Sequence, residues 1–476
     1  MTRSEWPKRL GLWLGPCLAA AVWLAPPPET WSEPAWRTAG LAVWMAVWWF
    51  SEALPLPATA LLPLIVLPLA GVSSLHETAT AYAHPVIFLF LGGFVIARAL
   101  QVHGLSRAFA GWLLARIGTT PARVVAAFFI AGALLSMGVS NTATALMLAP
   151  IARATLAARP ESAPPGGEIP LLLAVAYGCN IGGMASVIGT PPNALAAAYL
   201  DEAHAIEISF VQWLAFGLPL VVVAAALGIV LLTRVLYPVA VPAPRSAGHA
   251  PLSDPPAAWG RARLAGAAPR RVVWVTAGTV LAWLFQPLLA AAIPGINDTV
   301  IALVAALALF ALPAGRGQRL LDWGQAAELP WGILLLFGGG LALAGAIEHS
   351  GLNAVLGGML HFLVGLPVWV LIAGFCAFML LLTELTSNTA STAAFLPLAG
   401  SLALAAGLPP WQLAIPTALA ASGAFMLPVA TPPNAVVFGG RLTIRVMARA
   451  GIGFNLLLLA LITLTSVTLL PAIMGN

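Results

Sequence analysis

The chain has 476 residues, of which 60% are hydrophobic and 8% charged. A soluble domain carries roughly 25% charged residues, so this composition excludes a soluble enzyme and predicts an integral membrane protein whose exterior faces lipid. The net charge of +5 reads as loop arginines that set topology, and no nucleic-acid partner is expected.

In chain order, apolar runs long enough to span fall near 10–25, 38–53, 55–73, 84–102, 168–200, 211–236, 271–292, 298–313, 331–348, 411–440 and 452–473. The basic start could be read as a secretory signal. No small-residue cleavage pattern precedes Pro26-Pro27-Pro28, so the first run is expected to remain as a helix. Of the 21 basic residues, 20 are Arg and one is Lys8. With Arg3, Lys8 and Arg9 placed in the cytoplasm, the loops alternate. Arg107, Arg116, Arg153, Arg159, the set Arg234 to Arg271, Arg316, Arg319 and Arg441 to Arg449 fall inside. Loops 74–83, 201–210, 293–299 and 349–365 have no Lys or Arg, and Arg37 is the outside exception. This positive-inside pattern places the N-terminus in the cytoplasm and the C-terminus outside, in a bacterial-type inner membrane. It requires that two further apolar stretches, 121–154 and 366–404, each return to the side they entered.

The sequence repeats itself. FLFLGGFVIARALQVHGL at 88–105 matches ILLLFGGGLALAGAIEHSGL at 333–352, SNTATA at 140–145 matches SNTAST at 387–392, and GTPPNA at 189–194 matches ATPPNA at 430–435. Gly92 to Ser140 is 48 residues and Gly338 to Ser387 is 49; Ser140 to Thr190 is 50 and Ser387 to Thr431 is 44. The first SNT enters from the cytoplasm and the second from outside, so the repeats are inverted, a plan of secondary transporters. Each arm of a hairpin over 121–154 would hold about 15 residues, or ~22 Å of helix, short of the ~30 Å hydrocarbon core. Both stretches therefore read as re-entrant hairpins with SNT near the tip. Pro191-Pro192 and Pro432-Pro433 must break their helices. Each break frees the carbonyls of Gly189 and Ala430 and starts a new helix, with Thr190 and Thr431 as N-caps.

Freed carbonyls with Ser, Thr and Asn oxygens suit a small alkali cation. Helix N-termini with amides and hydroxyls suit an anion. No Arg or Lys lies in the four motifs, so dipoles, hydroxyls and imported cations are expected to hold the anion without a fixed positive charge. A lone SNT would read as helix packing; its duplication together with TPPN reverses that reading.

The duplicated SNT…TPPN pattern, the LGG helices and the hairpins resemble the divalent anion–sodium symporter (DASS) family of dicarboxylate, citrate and sulfate transporters, over almost the whole chain. The resemblance implies an all-α membrane protein of eleven spanning helices and two re-entrant hairpins. It also implies a homodimer with scaffold and transport domains moving as an elevator. The expected organisation is 1–83 scaffold helices, 84–236 first repeat, 237–270 cytoplasmic linker, 271–330 scaffold helices and 331–476 second repeat. Carried over, sodium site 1 comprises Ser136, Ser140, Asn141 and Gly189, and sodium site 2 comprises Thr383, Thr386, Asn388 and Ala430. The substrate carboxylates meet Asn141, Thr142, Thr190, Pro191, Asn388, Thr389, Thr431 and Pro432. The expected function is sodium-coupled symport of C4-dicarboxylates such as succinate, malate or fumarate. Sodium-independent exchange and sulfate symport on the same fold are the alternatives, and a channel or membrane enzyme is disfavoured.

Glu384, beside the second SNT, is a functional candidate because it lies at membrane depth. A structural role in binding hairpin backbone is the equal alternative. Glu52 reads as interfacial, His103 and His349 as marking helix ends, and Gly338-Gly339-Gly340 as a packing surface. The seven His lack a zinc pattern, and Cys17, Cys179 and Cys376 imply no disulfide framework.

Overall fold

The structure, a computed structural model, describes residues 6–117, 120–157, 167–238, 266–315 and 317–475. Arg3, Arg159, Arg316 and most of the proposed linker lie outside the described residues. Apart from a small antiparallel pair, Pro313–Gly315 with Gln318–Arg319, the architecture is helical.

Proline placement explains where the long apolar runs stay whole and where they divide. The run at 55–73, with Pro55, Pro57, Pro63 and Pro68, becomes Leu56–Thr59 and Leu62–Leu69. The run at 168–200 becomes Glu168–Gly182 and Pro191–His204, and 411–440 becomes Trp411–Ala421 and Pro432–Val437. Among the described residues, five helical stretches are long and apolar enough to cross a membrane: Leu75–Val102, Glu168–Ala185, Phe210–Leu236, Trp331–His349 and Ile444–Met474. Ala267–Leu284 and Gln286–Ala292, bent by 79°, make a sixth as a pair.

Both SNT stretches fold as helical hairpins. The first joins Pro121–Ser136 to Asn141–Ala157, and the second joins Val368–Thr383 to Asn388–Ala405; in each the two arms pack on one another. Arms of 16 to 18 residues reach only ~24–27 Å. The SNT lies at the turn, so its Asn is the first residue of the second arm in both halves.

The first hairpin is held by a small-residue seam. Its leading arm lies along Glu168–Gly182, where Gly178 and Gly182 are one turn apart. A Cβ on Gly178 would stand 2.4 Å from the Phe129 carbonyl oxygen, and one on Gly182 would stand 2.2 Å from that of Ala133. This is backbone-to-backbone packing of the kind that replaces the hydrophobic effect between helices in lipid. Behind it, Tyr177 packs against Phe425 and Phe454 at centroid distances of 5.0 and 4.6 Å. The Tyr177 hydroxyl donates to the Phe425 carbonyl at 2.8 Å, joining the two halves in the core.

Polar contacts respect the alternation of loops. Segments expected inside meet one another: Lys8 with Glu52, Arg98 with Glu328, His103 with the Leu320 carbonyl, Arg153 with the Val436 carbonyl, and Glu168 with Arg441. Segments expected outside do the same: His84 with Asp201, Thr299 with the Pro85 carbonyl, the Phe210 amide with Asp298, and Ser32 with the Ser350 carbonyl.

Gly182→Ala is expected to lower the thermal unfolding midpoint of the purified protein, since overpacking a close contact costs about 1–3 kcal/mol. Gly374→Ala, where an added Cβ meets nothing within 4 Å, leaves the midpoint unchanged or raises it. Equal midpoints for the two variants would show that the seam carries no stability.

Candidate substrate and cation site

One cavity of about 710 Å³ is lined by residues of both SNT tips and both TPP breaks. Of the fourteen residues expected at the site, Ser140, Asn141, Thr142, Gly189, Thr190, Pro191, Thr386, Asn388, Thr389, Ala430, Thr431 and Pro432 line it. Ser136 and Thr383 do not. Each ends a leading hairpin arm and is fully buried behind the tip.

Helix geometry makes the cavity attractive to an anion. The helices Asn141–Ala157, Pro191–His204, Asn388–Ala405 and Pro432–Val437 all begin at its wall, so four positive helix ends point to it; free amides can come only from the two SNT helices, because Pro191-Pro192 and Pro432-Pro433 have no N–H. The capping differs between halves. Thr431 accepts from the Asn434 amide at 3.4 Å, whereas Thr190 occupies the N-cap position without a side-chain capping bond. That corrects the expectation of two equivalent threonine caps. The Asn193 amide turns instead to the Thr190 carbonyl at 3.1 Å.

Oxygens without partners mark where a cation could sit. The carbonyls of Gly189 and Ala430 accept no backbone hydrogen bond among the described residues. In the first half, Ser136 Oγ, Asn141 Oδ1, Thr144 Oγ1 and Asn193 Oδ1 are buried and unpaired. In the second, Asn388 Oδ1 is. Buried oxygens left unpaired cost about 1–3 kcal/mol each, and a dehydrated cation would satisfy several together. The other expected ligands are already engaged. Thr383 and Thr386 donate to the carbonyls of Met379 and Leu382 at 2.9 and 2.8 Å, and Ser140 caps the Ala143 amide at 3.3 Å. A hydroxyl that donates to a carbonyl still has a lone pair for a cation.

The breaks are braced by residues that the motif reading gave no role. Asn193 Nδ2 donates to the carbonyls of Gly183 and Ser186 at 3.0 and 2.8 Å, and Asn434 Nδ2 donates to those of Ala424 and Leu427 at 3.1 and 3.0 Å. The same side chain closes the same loop in each half. Between the halves, Asn180 Nδ2 donates to Thr431 Oγ1 at 3.0 Å and Asn434 Oδ1 at 3.3 Å. A buried Asn within an apolar run was the available signal for Asn180. Gly189 tolerates nothing larger, since a Cβ there would stand 2.4 Å from the Gly183 carbonyl oxygen.

Glu384 resolves between its two readings. Its Oε1 accepts from the amides of Phe425 and Met426 at 2.8 and 2.9 Å and from Asn455 Nδ2 at 3.0 Å; its Oε2 accepts from Met426 and Leu427 at 2.9 and 3.0 Å. Three consecutive amides of the second break thus surround one carboxylate. Glu384 is a positioning residue that binds backbone, and it does not line the cavity.

The expectation of a site without fixed positive charge holds for the motifs but not for the cavity, because Arg98 lines it too. Glu52 also lines it, at the left-handed C-cap of Glu33–Ser51, and pairs with Lys8 at 3.2 Å. His103 and His349 bond backbone carbonyls, each at 2.7 Å.

A cavity walled by the two halves of a repeated helical unit defines a membrane transporter, not an enzyme. The citrate transporter family model (CitMHS) matches residues 46–414, and the chain belongs to that family, in agreement with the symporter resemblance of its motifs. The chain is 36% identical to the sodium-dependent dicarboxylate transporter SdcS of Staphylococcus saprophyticus and 34% identical to that of Staphylococcus aureus USA300, each over 98% of this chain and 92% of the relative. Among solved structures it resembles the YdaH transporter of Alcanivorax borkumensis, with TM-score 0.58, 16% identity and coverage of 91% of this chain and 98% of that one. It also resembles MtrF of Neisseria gonorrhoeae, with TM-score 0.57, 16% identity and coverage of 82% and 83%. At that identity the likeness is one of fold.

Glu384→Gln keeps the shape of the side chain but turns an amide donor toward backbone amides. It is expected to cost about 1–3 kcal/mol of stability, read as a drop in the thermal unfolding midpoint. A midpoint equal to that of the unaltered protein would remove the bracing role.

Proposed function

We propose that the protein is a sodium-coupled symporter of C4-dicarboxylates such as succinate, malate or fumarate. The observation that carries this reading is the cavity on which two SNT tips and two helix breaks converge, with the unpaired oxygens of Asn141 and Asn388 on residues of its wall. The names of the staphylococcal relatives, sodium-dependent dicarboxylate transporters, support both the substrate class and the ion.

Magnitudes explain why the ion is needed. A helix N-terminus contributes about 1 kcal/mol to a nearby anion. Four of them give about 4 kcal/mol, which corresponds to a dissociation constant near 1 mM. Cations placed beside the carboxylates add what the dipoles lack, and their departure releases the substrate. In this reading Ser136, Ser140, Asn141 and the Gly189 carbonyl hold one sodium. Thr383, Thr386, Asn388 and the Ala430 carbonyl hold the second. The paired Asn-Thr and Thr-Pro elements face the substrate carboxylates. Asn141 and Asn388 each serve both cation and anion.

The same reading takes the two hairpins as re-entrant, counts eleven spans by including the broken and short helices, and divides the chain into scaffold and transport domains. It places two copies in a bacterial-type inner membrane with the N-terminus in the cytoplasm and the C-terminus outside. The same-side loop contacts support that alternation. Of the ionisable residues of the cavity, Glu328 belongs to a loop assigned to the cytoplasmic side, and Glu52 and Arg98 stand near the ends of spanning runs assigned to that side, so this reading has the cavity face inward.

In proteoliposomes, an inward sodium gradient is expected to drive succinate uptake that a potassium gradient does not, and Asn141→Ala and Asn388→Ala each abolish it. Sodium, but not potassium, raises the thermal unfolding midpoint of the purified protein, and Ser136→Ala weakens that shift. Uptake indifferent to sodium would sink the coupling, and normal transport by either Asn variant would sink the site assignment.

A further inference from the structure

Arg98 is a charge inside an apolar spanning helix. It lies four residues before the end of the helix Pro85–Val102, about one turn or ~6 Å from its cytoplasmic terminus. A basic side chain near a helix end can reach the interface, but Arg98 lines the cavity instead, and a charge facing a cavity within the membrane domain is a functional candidate. The second repeat places Ala344 at the equivalent position, six residues after its Gly pair begins, so the duplication does not require a charge there. Arg98 is the only Arg, Lys or His that lines the cavity among the described residues.

Its neighbours hold the guanidinium without using it up. Nε donates to the Gln325 carbonyl at 3.3 Å, and Nη2 bonds Glu328 Oε2. The carbonyl belongs to the short helix Trp323–Ala327, which Glu328 terminates. The Arg98 side chain is 24% exposed, but that of Glu328 is 65% exposed. An exposed carboxylate contributes only about 0–1 kcal/mol to such a pair, so it is readily displaced. Three of the five guanidinium donors have no partner among the described residues. The fixed carbonyl keeps the fork aimed while the carboxylate partner remains exchangeable.

We propose that Arg98 is a substrate-binding residue of the inward-facing vestibule, where its guanidinium exchanges Glu328 for a carboxylate of the dicarboxylate on its way between the SNT tips and the cytoplasm. Glu328 is then a competing internal anion that keeps Arg98 from retaining the substrate. Arg98 acts from one side of the membrane only, because its counterpart in the other half is alanine. This inference rests on the proposed dicarboxylate transport, and it assigns to the cytoplasmic face an affinity determinant that the outer face lacks.

The test compares succinate KM at the two faces, in whole cells and in inside-out membrane vesicles, for Arg98→Met, Glu328→Gln and the double variant. Arg98→Met is expected to raise KM about tenfold in inside-out vesicles, the worth of one charge-assisted bond, and to leave the whole-cell KM within about twofold. Glu328→Gln lowers the vesicle KM, and the double variant behaves as Arg98→Met. If Arg98→Met does not reach the membrane, Glu328→Gln decides alone: a lowered vesicle KM supports the exchange, and an unchanged or raised one overturns it. Equal losses from both single variants, or an unchanged vesicle KM for Arg98→Met, overturn the inference while leaving the transport function standing. Unaltered protein that moves no succinate in either preparation overturns the function and this inference with it.

Discussion

Two adjacent prolines inside an apolar helix leave backbone groups without partners in a place where lipid supplies none. Everything at the centre of this molecule answers that constraint. The nonhelical turns that follow are closed by the amides of Asn193 and Asn434, each bridging two carbonyls. The three free amides of the second turn are gathered by Glu384, which is 3% exposed. The oxygens that no side chain satisfies, at Gly189 and Ala430, face the cavity together with the helix starts. Binding capacity is thus the unsatisfied remainder of two otherwise well-braced breaks.

The two halves share this backbone solution but not its side chains. Gly183 and Gly189 of the first break become Ala424 and Ala430 in the second. The first half is therefore the tighter one, with Gly189 pressed against the Gly183 carbonyl. Glu384 stands four residues before Asn388, where the first half has Met137 before Asn141. Asn180 reaches across to the second break, but its counterpart Ala421 returns nothing. Unpaired oxygens gather in the first half and carboxylate bracing in the second. The doubled plan therefore brings two chemically different breaks to one cavity.

Much of the fold was legible because its signals are local. Hydropathy marks the helices, and prolines mark where they stop, as at Pro191-Pro192 and Pro432-Pro433. Twelve of the fourteen expected site residues could be found at one cavity because the motifs occur twice at matched spacing. The bracing was harder to read. Glu384 contacts amides 41 to 43 residues away, and Asn180 contacts Thr431 across 251. No local period connects such positions. Arg98 stands as a charge within an apolar run, but neither the SNT nor the TPPN elements contain it, so nothing local links it to the cavity.

The sequence by itself determined a membrane carrier with a doubled plan: its apolar runs, its basic loops, its paired SNT and TPPN elements and the breaks they force. Those properties follow from side-chain hydrophobicity and from the missing donor of proline, and neither needs a partner in space. Only the tertiary structure decided which oxygens stay unpaired, which carboxylate binds backbone and which guanidinium faces the cavity. Each of these depends on what another helix brings within hydrogen-bonding distance.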